Sequence, residues 1–388
     1  MKQFFAFYIL LCISICSLRS LGQDTVYARQ VIKKLTSKDF FGRGYLNNGL
    51  DKAAKYISSE LERFKAKPLF ATGYFQWFDF NVNTFPGKMK VKLNGKLLKP
   101  GIDFILAPGS SGQIGKFDLV KKDSLHYTGR TNSYMMVELT KKLTFSVATE
   151  AASYCAIELL KNNTTVNTAT ELKTIEVEIE NKLLTKYINK NVCGFIPGKI
   201  NNDTMIVFSA HYDHLGGMGK STFFPGANDN ASGVSMLLNL VNYYSKNPPK
   251  YKTVFLFFAG EEAGLLGSKH FTEQTGFDFK AVKFLINLDL LGTGDEGIMV
   301  VNATEYKTQF EKLNSINSKK SLVKEIRQRG KAKISDHYWF SEKGVPCFFI
   351  YTLGGIKAYH DVFDIEKTLP LTDYTDVCKL LIEFVGAL

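Results

Sequence analysis

The sequence is poor in cysteine, and its six cysteines form no CxxC pair. Two of them lie in an apolar run at the N-terminus. The other four are widely spaced along the chain: Cys155, Cys193, Cys347 and Cys378. This spacing argues against a thiolate metal site and against a disulfide-stapled scaffold. A single disulfide stays open for an exported protein, but the sequence assigns it to no pair.

Long apolar runs are also missing after the N-terminus, so no later stretch is long enough to span a bilayer. At the start of the chain, Lys2 precedes an apolar run over residues 4–18, and a short polar stretch follows. This pattern predicts a signal peptide at residues 1–22, with Gln23 as the first mature residue. The protein is then exported, either periplasmic or secreted. An uncleaved anchor and a lipid anchor at Cys16 are the alternatives.

The basic charge lacks the arrangement that nucleic-acid binding needs. The net charge is +12, and removal of Lys2 and Arg19 with the signal peptide leaves +10 for the mature chain. Lysine and arginine are scattered rather than interleaved with aromatic residues in a stripe. We therefore predict a solvated basic surface and no nucleic-acid partner.

The pattern of apolar and polar residues changes at two points along the chain. Residues 23–85 include a helical stretch at 49–64, whose apolar residues recur at spacings of three and four. Residues 86–186 alternate apolar and polar positions and contain an Asn94-Gly95 turn, which is typical of a β-hairpin. We predict a β-rich insert there, with one helix near 148–161, and assign it no chemistry.

Residues 187–388 repeat a pattern of strand, loop and helix. Short, continuously apolar runs such as "TMIVFSA" and "KTVFLFFAG" are typical of buried parallel strands. The run "ASGVSMLLNLVNYYSK" between them predicts a helix, with Ser232 as its N-cap. The fold class is therefore α/β: a doubly wound, mostly parallel central sheet with helices on both faces, plus the β-rich insert.

Acidic and imidazole side chains follow the predicted strands, at the edge where open α/β sheets bind ligands. They are His211 and Asp213, then Asp229 before the helix, then Glu261, Glu262, Asp289 and His360. Each alone is compatible with a structural role; the two glutamates, for instance, would suit a helix N-terminus. Together, crowded acids are unfavourable unless a cation is present. Imidazole and carboxylate ligands without thiolates favour zinc over manganese or cobalt.

The motifs around these residues resemble those of one enzyme group. In chain order they are "AHYDHLG", "GANDNASGVSMLL", "FFAGEEAGLLGSKHF", "NLDLLG", "SDHYWFSEKGVP" and "YHDVFD". The ordered set resembles the MH-clan double-zinc metallopeptidases, which include bacterial aminopeptidases, glutamate carboxypeptidases and glutaminyl cyclases. The resemblance covers residues 24–85 and 190–388. It implies one zinc peptidase domain, formed by residues 23–85 and 187–388 around the insert.

The resemblance also implies a set of metal ligands. His211 and Asp289 would hold one Zn²⁺ ion, and Glu262 and His360 would hold a second. Asp229 would bridge the two ions. The peptide bond that follows this aspartate would be cis, as it is in such enzymes.

Three further roles follow from the same resemblance. Glu261 matches the general base, and Asp213 matches the acid that orients a histidine ligand. Tyr359 stands where family members often place a phenol that stabilises the tetrahedral oxyanion. "YHDVFD" departs from the family pattern, because it lacks the usual Thr-Pro after the histidine.

The function implied is that of an exported zinc-dependent exopeptidase, an aminopeptidase that hydrolyses N-terminal residues of peptides through a water activated by two zinc ions. A glutaminyl cyclase with one zinc ion is one alternative, although such enzymes typically carry tryptophan where this chain has Tyr359. A non-catalytic peptidase-like binding module is another, although such modules have lost ligands that this chain retains. The preferred side chain and the choice between aminopeptidase and carboxypeptidase stay open.

Overall fold

The computed structural model describes residues 25–161, 172–274 and 276–388. The predicted signal peptide at residues 1–22 lies outside these ranges. Within them, no helix combines the length and the apolar character needed to cross a membrane. The four cysteines of the described ranges are buried and unpaired.

Seven α-helices lie in the described ranges, and the second shows the burial of one apolar face. In the second helix Ala54, Ile57 and Leu61 are fully buried, as the spacing of apolar residues predicts. The helices are α1 (Thr25–Leu35), α2 (Gly49–Arg63), α3 (Gly233–Lys246), α4 (Leu266–Gln274), α5 (Lys307–Lys320), α6 (His337–Glu342) and α7 (Tyr374–Gly386).

The same ranges contain nineteen strands, most of them short. In chain order they are β1 (Lys67–Pro68), β2 (Phe75–Thr84), β3 (Met89–Leu93), β4 (Lys96–Leu97), β5 (Phe104–Leu106), β6 (Gln113–Lys121), β7 (His126–Gly129), β8 (Met135–Thr140), β9 (Cys155–Leu160), β10 (Thr174–Ile179), β11 (Lys182–Ile196), β12 (Met205–His211), β13 (Gly217–Met218), β14 (Thr222–Phe223), β15 (Lys252–Phe258), β16 (Val282–Leu288), β17 (Ile298–Val301), β18 (Ile326–Arg329) and β19 (Cys347–Thr352).

Nine of these strands form the central sheet, in the order β1-β11-β15-β12-β16-β19-β17-β18, with β2 also paired to β11. The four strands at its centre, β15, β12, β16 and β19, are parallel to one another. Strand β11 joins them antiparallel on one side, and β17 does so on the other. The predicted α/β class is confirmed, with a parallel centre flanked by antiparallel strands.

Both faces of this sheet are covered, and strand β12 shows how. All seven of its residues are buried. Ile206, Phe208 and Ala210 join the core beneath helices α1, α2, α3 and α7. Met205 and Val207 point the other way, into the core that includes Phe271 of α4 and Phe340 of α6. A strand buried on both faces reads as one continuous apolar run, which is why "TMIVFSA" lacks alternation.

A second sheet of eight strands, β3 to β10, lies within the range of the predicted insert and has its own core. The Asn94-Gly95 turn joins β3 to β4 as expected. The helix predicted near 148–161 is wrong, because residues 155–160 form strand β9. Cys155, Ile157 and Leu159 of this strand are buried while the residues between them are partly exposed, and this period of two belongs to a strand.

Ser232 lies at the N-cap position of α3, as predicted, but its side chain does not cap the helix. Ser232 has helical backbone angles, and its side chain makes no capping hydrogen bond. Its hydroxyl instead donates to the Asn228 carbonyl and accepts from the Leu291 backbone N–H. The side chain therefore ties the turn before α3 to the loop after β16.

Candidate metal centre

The parallel centre of the sheet brings the predicted site residues to one edge. His211 is the last residue of β12, and Asp289 directly follows β16. Glu261 and Glu262 follow the end of β15 by three and four residues. Because these strands are parallel neighbours in the order β15-β12-β16, their carboxyl ends lie side by side.

Asp229 lies between the imidazoles of His211 and His360. Its Oδ1 is 3.3 Å from His211 Nε2, and its Oδ2 is 3.0 Å from His360 Nε2. His211 Nε2 is also 3.4 Å from Asp289 Oδ2, and His360 Nε2 is 3.2 Å from Glu262 Oε2. Each imidazole therefore faces one oxygen of the shared aspartate and one oxygen of a second acid. The peptide bond between Asp229 and Asn230 is cis.

The donor set fits a bound cation. Ligand atoms of His211, Asp229 and Glu262 lie within 4.8 Å of one another, and so do those of His211, Glu261 and Asp289. Asp289 Oδ1 is buried and has no hydrogen-bond partner among the described residues. A buried carboxylate oxygen without a partner is unfavourable, so positive charge is needed at this point.

The pKa values show the same need. Burial alone would lower the pKa of His211, but the carboxylates of Asp289 and Glu261 raise it well above its ordinary value. Burial would likewise lower the pKa of His360, which Glu262 and Asp229 raise to about 11. Protons on the imidazoles thus supply positive charge that a divalent cation would supply in their place.

His214 belongs to the cluster although the sequence analysis did not select it. Its Nδ1 lies 2.8 Å from Glu262 Oε1, and its side chain is fully buried. This contact occupies one oxygen of Glu262 and leaves the other facing His360. The loop at Gly226 makes room for the ring: a Cβ there would lie 2.4 Å from it, at a φ of +62°. The second histidine of "AHYDHLG" was the available signal.

Residues 191–385, half of the chain, match the sequence profile described as peptidase family M28. The chain belongs to peptidase family M28. The matched range contains the whole cluster of imidazoles and carboxylates described above, and it confirms the family that the sequence motifs predict.

Two relatives of this M28 chain illustrate the similarity. Aminopeptidase YwaD of Bacillus subtilis (strain 168) is 28% identical over 174 residues, which cover 44% of this chain and 37% of that protein. A probable leucine aminopeptidase of Arthroderma otae is 30% identical over 213 residues, 52% of this chain and 58% of that protein. The matched part of this chain thus spans between about a third and three-fifths of these relatives.

Solved structures share the fold over nearly the full length of the M28 chain. A zinc aminopeptidase from Bacillus subtilis, BSAP, superposes with a TM-score of 0.67 at 19% identity, covering 94% of this chain and 96% of that one. A glutaminyl cyclase from Bacteroides thetaiotaomicron gives a TM-score of 0.53 at 15% identity, covering 94% and 98%. At these identities the likeness concerns the fold, which extends over the second sheet as well.

The Asp213 carboxylate accepts hydrogen bonds from the backbone of both Glu261 and Glu262. Its Oδ1 accepts from the Glu261 backbone N–H at 3.2 Å, and its Oδ2 accepts from that of Glu262 at 3.3 Å. Toward His211 Nδ1, the Asp213 carbonyl oxygen is nearer, at 3.2 Å, than its carboxylate Oδ1, at 3.7 Å. The residue therefore orients His211 mainly through its backbone, while its side chain fixes where the glutamate turn starts.

The loop that carries Asp229 is held from two sides. The buried guanidinium of Arg43 donates to the carbonyls of Pro225, Gly226 and Asp229 at 2.7, 2.8 and 3.1 Å. On the other side, the Asp364 carboxylate accepts from the Asp229 backbone N–H at 3.0 Å. The sequence motifs "FFGRG" and "VFD" contain these residues, but nothing in their composition indicated the contacts.

A pocket of about 210 Å³ opens onto the cluster. Glu261 borders it, and burial raises the pKa of this carboxyl well above its usual range. Tyr359 also borders the pocket; its side chain is 43% exposed, and its ring stacks on the His360 imidazole with centroids 4.0 Å apart. The remaining wall is largely apolar or aromatic and consists of Leu290, Ile334, Phe349 and Tyr351.

Proposed function

We propose that this protein is a zinc-dependent aminopeptidase that hydrolyses the N-terminal residue of peptides. The observation that carries the proposal is the buried cluster in which Asp229 lies between His211 and His360, each with a further acid beside it. Membership of peptidase family M28 supports peptide hydrolysis as the reaction. Aminopeptidases among the relatives support removal of the N-terminal residue.

Two zinc ions fit the arrangement. His211 and Asp289 would hold one ion and His360 and Glu262 the other, with Asp229 shared between them. Nitrogen and carboxylate oxygen donors are ordinary zinc ligands. His214 would hold Glu262 in place, as outer partners of zinc ligands commonly do.

When bound, zinc polarises the scissile carbonyl and lowers the pKa of a nearby water. Glu261 takes the proton of the attacking water and passes it to the leaving amine. Tyr359 borders the pocket beside His360 and would donate its phenol hydrogen to the oxyanion.

A panel of peptides tests the proposal directly. We expect purified protein to hydrolyse peptides with a free N-terminus, to spare the same peptides after N-acetylation, and to lose activity with a chelator. Zinc analysis should give two ions per chain. Cyclisation of N-terminal glutamine with one ion and no hydrolysis would instead identify a glutaminyl cyclase. Bound zinc with neither reaction would identify a binding module.

The pocket predicts which N-terminal residues are preferred. Its apolar wall suits an uncharged side chain, because a carboxylate placed there would lose its hydration without gaining a partner. We expect kcat/KM for an N-terminal leucine to exceed that for an N-terminal aspartate by at least about 100-fold, and Ile334→Asp to reduce this ratio. Kinetics on matched dipeptide amides would measure both.

Ile200→Asp is the control for the pocket variant. Ile200 is 43% exposed and Ile334 is 41% exposed, so the two changes place a charge at equally accessible sites. Ile200 does not border the pocket. Equal effects of the two substitutions on the leucine-to-aspartate ratio would show that Ile334 does not contact the substrate.

Export is part of the proposal, since residues 1–22 have the pattern of a signal peptide. We expect the mature protein to begin at Gln23 and to fractionate outside the cytoplasm. Mass spectrometry of the intact mature protein measures the cleavage point. Recovery of the full-length chain from the cytoplasm would contradict export.

A further inference from the structure

One short segment connects the second sheet to the metal centre. This segment, residues 140–148, runs from the end of β8 and contacts the loop of residues 357–362, which carries Tyr359 and His360. We propose that the second sheet, through Lys142 and Phe145, positions His360 as a ligand. The inference rests on the proposed function, because it concerns a ligand of the proposed zinc site.

Phe145 binds His360 through both of its backbone groups. The Phe145 N–H donates to the His360 carbonyl at 2.9 Å. The Phe145 carbonyl lies 3.0 Å from His360 Nδ1 and, being an acceptor only, requires the proton to be on that nitrogen. His360 Nε2 is then directed at Asp229 and Glu262. His360 has a φ of +54°, a conformation that few non-glycine residues adopt without such support.

Lys142 crosses the same loop on its exposed side. Its Nζ donates to the Lys357 carbonyl at 3.0 Å and lies 3.5 Å from Asp361 Oδ2. It also lies 5.8 Å from the centroid of the Tyr359 ring, which stacks on the His360 imidazole. Lys142 thus contacts the loop both before and after His360.

The position of this segment is determined by the second core. Leu143 and Phe145 are buried there, and the Phe145 ring stacks on Phe224 with centroids 4.5 Å apart. The Asn83 N–H donates to the Ala148 carbonyl at 2.8 Å, which secures the other end. Leu143 and Phe145 thus pack in the second core, while the Asn83 contact ties the segment to β2 of the central sheet. The placement of His360 therefore depends on packing in the second core.

Lys142→Ala is the central test, with Lys141→Ala as its matched control and Lys142→Arg as the conservative variant. Lys141 is exposed, adjacent in sequence, and has no hydrogen bond or ion pair to a described residue. The measurements are zinc retained per chain across a chelator series, kcat and KM on leucine 4-nitroanilide, and hydrogen exchange of a peptide covering residues 357–362 in the metal-free protein.

We expect Lys142→Ala to release one of two zinc ions at about 10-fold lower chelator concentration and to lower kcat by a similar factor, with KM little changed. Exchange in residues 357–362 should rise about 10-fold, while residues 205–211 stay unchanged. If only the positive charge of Lys142 mattered, Lys142→Ala would retain zinc more tightly, since removing a nearby cation favours binding of another. Arginine can reach the same acceptors, so Lys142→Arg should restore most of the loss.

Phe145→Pro is a second variant, because proline lacks the N–H that His360 accepts. We expect larger changes in the same three measurements, with far-UV circular dichroism confirming the fold.

If Lys142→Ala equals Lys141→Ala in exchange and zinc retention, or binds zinc more tightly, the positioning role is wrong. If wild-type protein binds no zinc or hydrolyses nothing, the proposed function fails, and exchange in the metal-free protein still decides the positioning role.

Discussion

Replacing Glu261 by glutamine is expected to lower kcat for peptide hydrolysis by about 10²–10⁴-fold while both zinc ions stay bound. Glutamine has the size of glutamate but cannot accept the proton of the attacking water, and general-base catalysis contributes a factor of this order. Steady-state kinetics together with zinc analysis of the same preparation would measure both effects.

Zinc content matters here because Glu261 also lies within reach of His211 and Asp289. If Glu261→Gln loses an ion as well as activity, the residue is a ligand rather than the base. If the variant keeps its activity, neither role is correct. Glu273→Gln is a matched control, since Glu273 is an exposed glutamate on the following helix α4 and does not border the pocket.

The second large effect is expected at Asp229. Its two oxygens face different imidazoles, at 3.3 and 3.0 Å, so Asp229→Ala should remove both zinc ions and abolish hydrolysis. Asp289→Ala should remove only the ion held with His211, because Asp289 contacts that imidazole alone. Zinc per chain, measured by atomic emission after dialysis against a weak chelator, should therefore be about zero for one variant and about one for the other.

Comparing the zinc contents of Asp229→Ala and Asp289→Ala tests whether Asp229 is a ligand of both ions. Equal zinc contents of the two variants would show that Asp229 is an ordinary ligand of one site. Because Asp229 also lies on a loop that Arg43 and Asp364 support, thermal unfolding of each variant is needed beside the zinc analysis. An Asp229→Ala protein that unfolds with wild-type cooperativity but retains two ions would contradict the assignment.

Much of this arrangement could be predicted because it is local in sequence. The buried strands ending at His211, Phe258 and Leu288 are continuous apolar runs, and three of the proposed ligands, His211, Glu262 and Asp289, end them or follow within a few residues. Parallel strands place such residues at one edge of a sheet whatever the loops do. The ligand cluster and the α/β class therefore follow from strand pattern and motif order.

Other features depend on contacts between residues far apart in the chain. The motif "AHYDHLG" offers His214 as a candidate, but no local pattern shows that its partner is Glu262, 48 residues later. Arg43 supports the Asp229 loop across 186 residues. The strand at 155–160 was mistaken for a helix, since a short apolar segment is ambiguous until its neighbours are known.

The sequence by itself determined which side chains are available at the site: two imidazoles and five carboxylates, most of them just after strands, with Glu261 and Glu262 adjacent. Only the tertiary structure decided how they are oriented. Asp213 holds the turn at Glu261 and Glu262. His214 contacts one oxygen of Glu262 and leaves the other for a cation, and the Phe145 carbonyl fixes the tautomer of His360. The physical reason is that a ligand's direction is set by the hydrogen bond on its far side, and the partners come from segments that no local pattern connects.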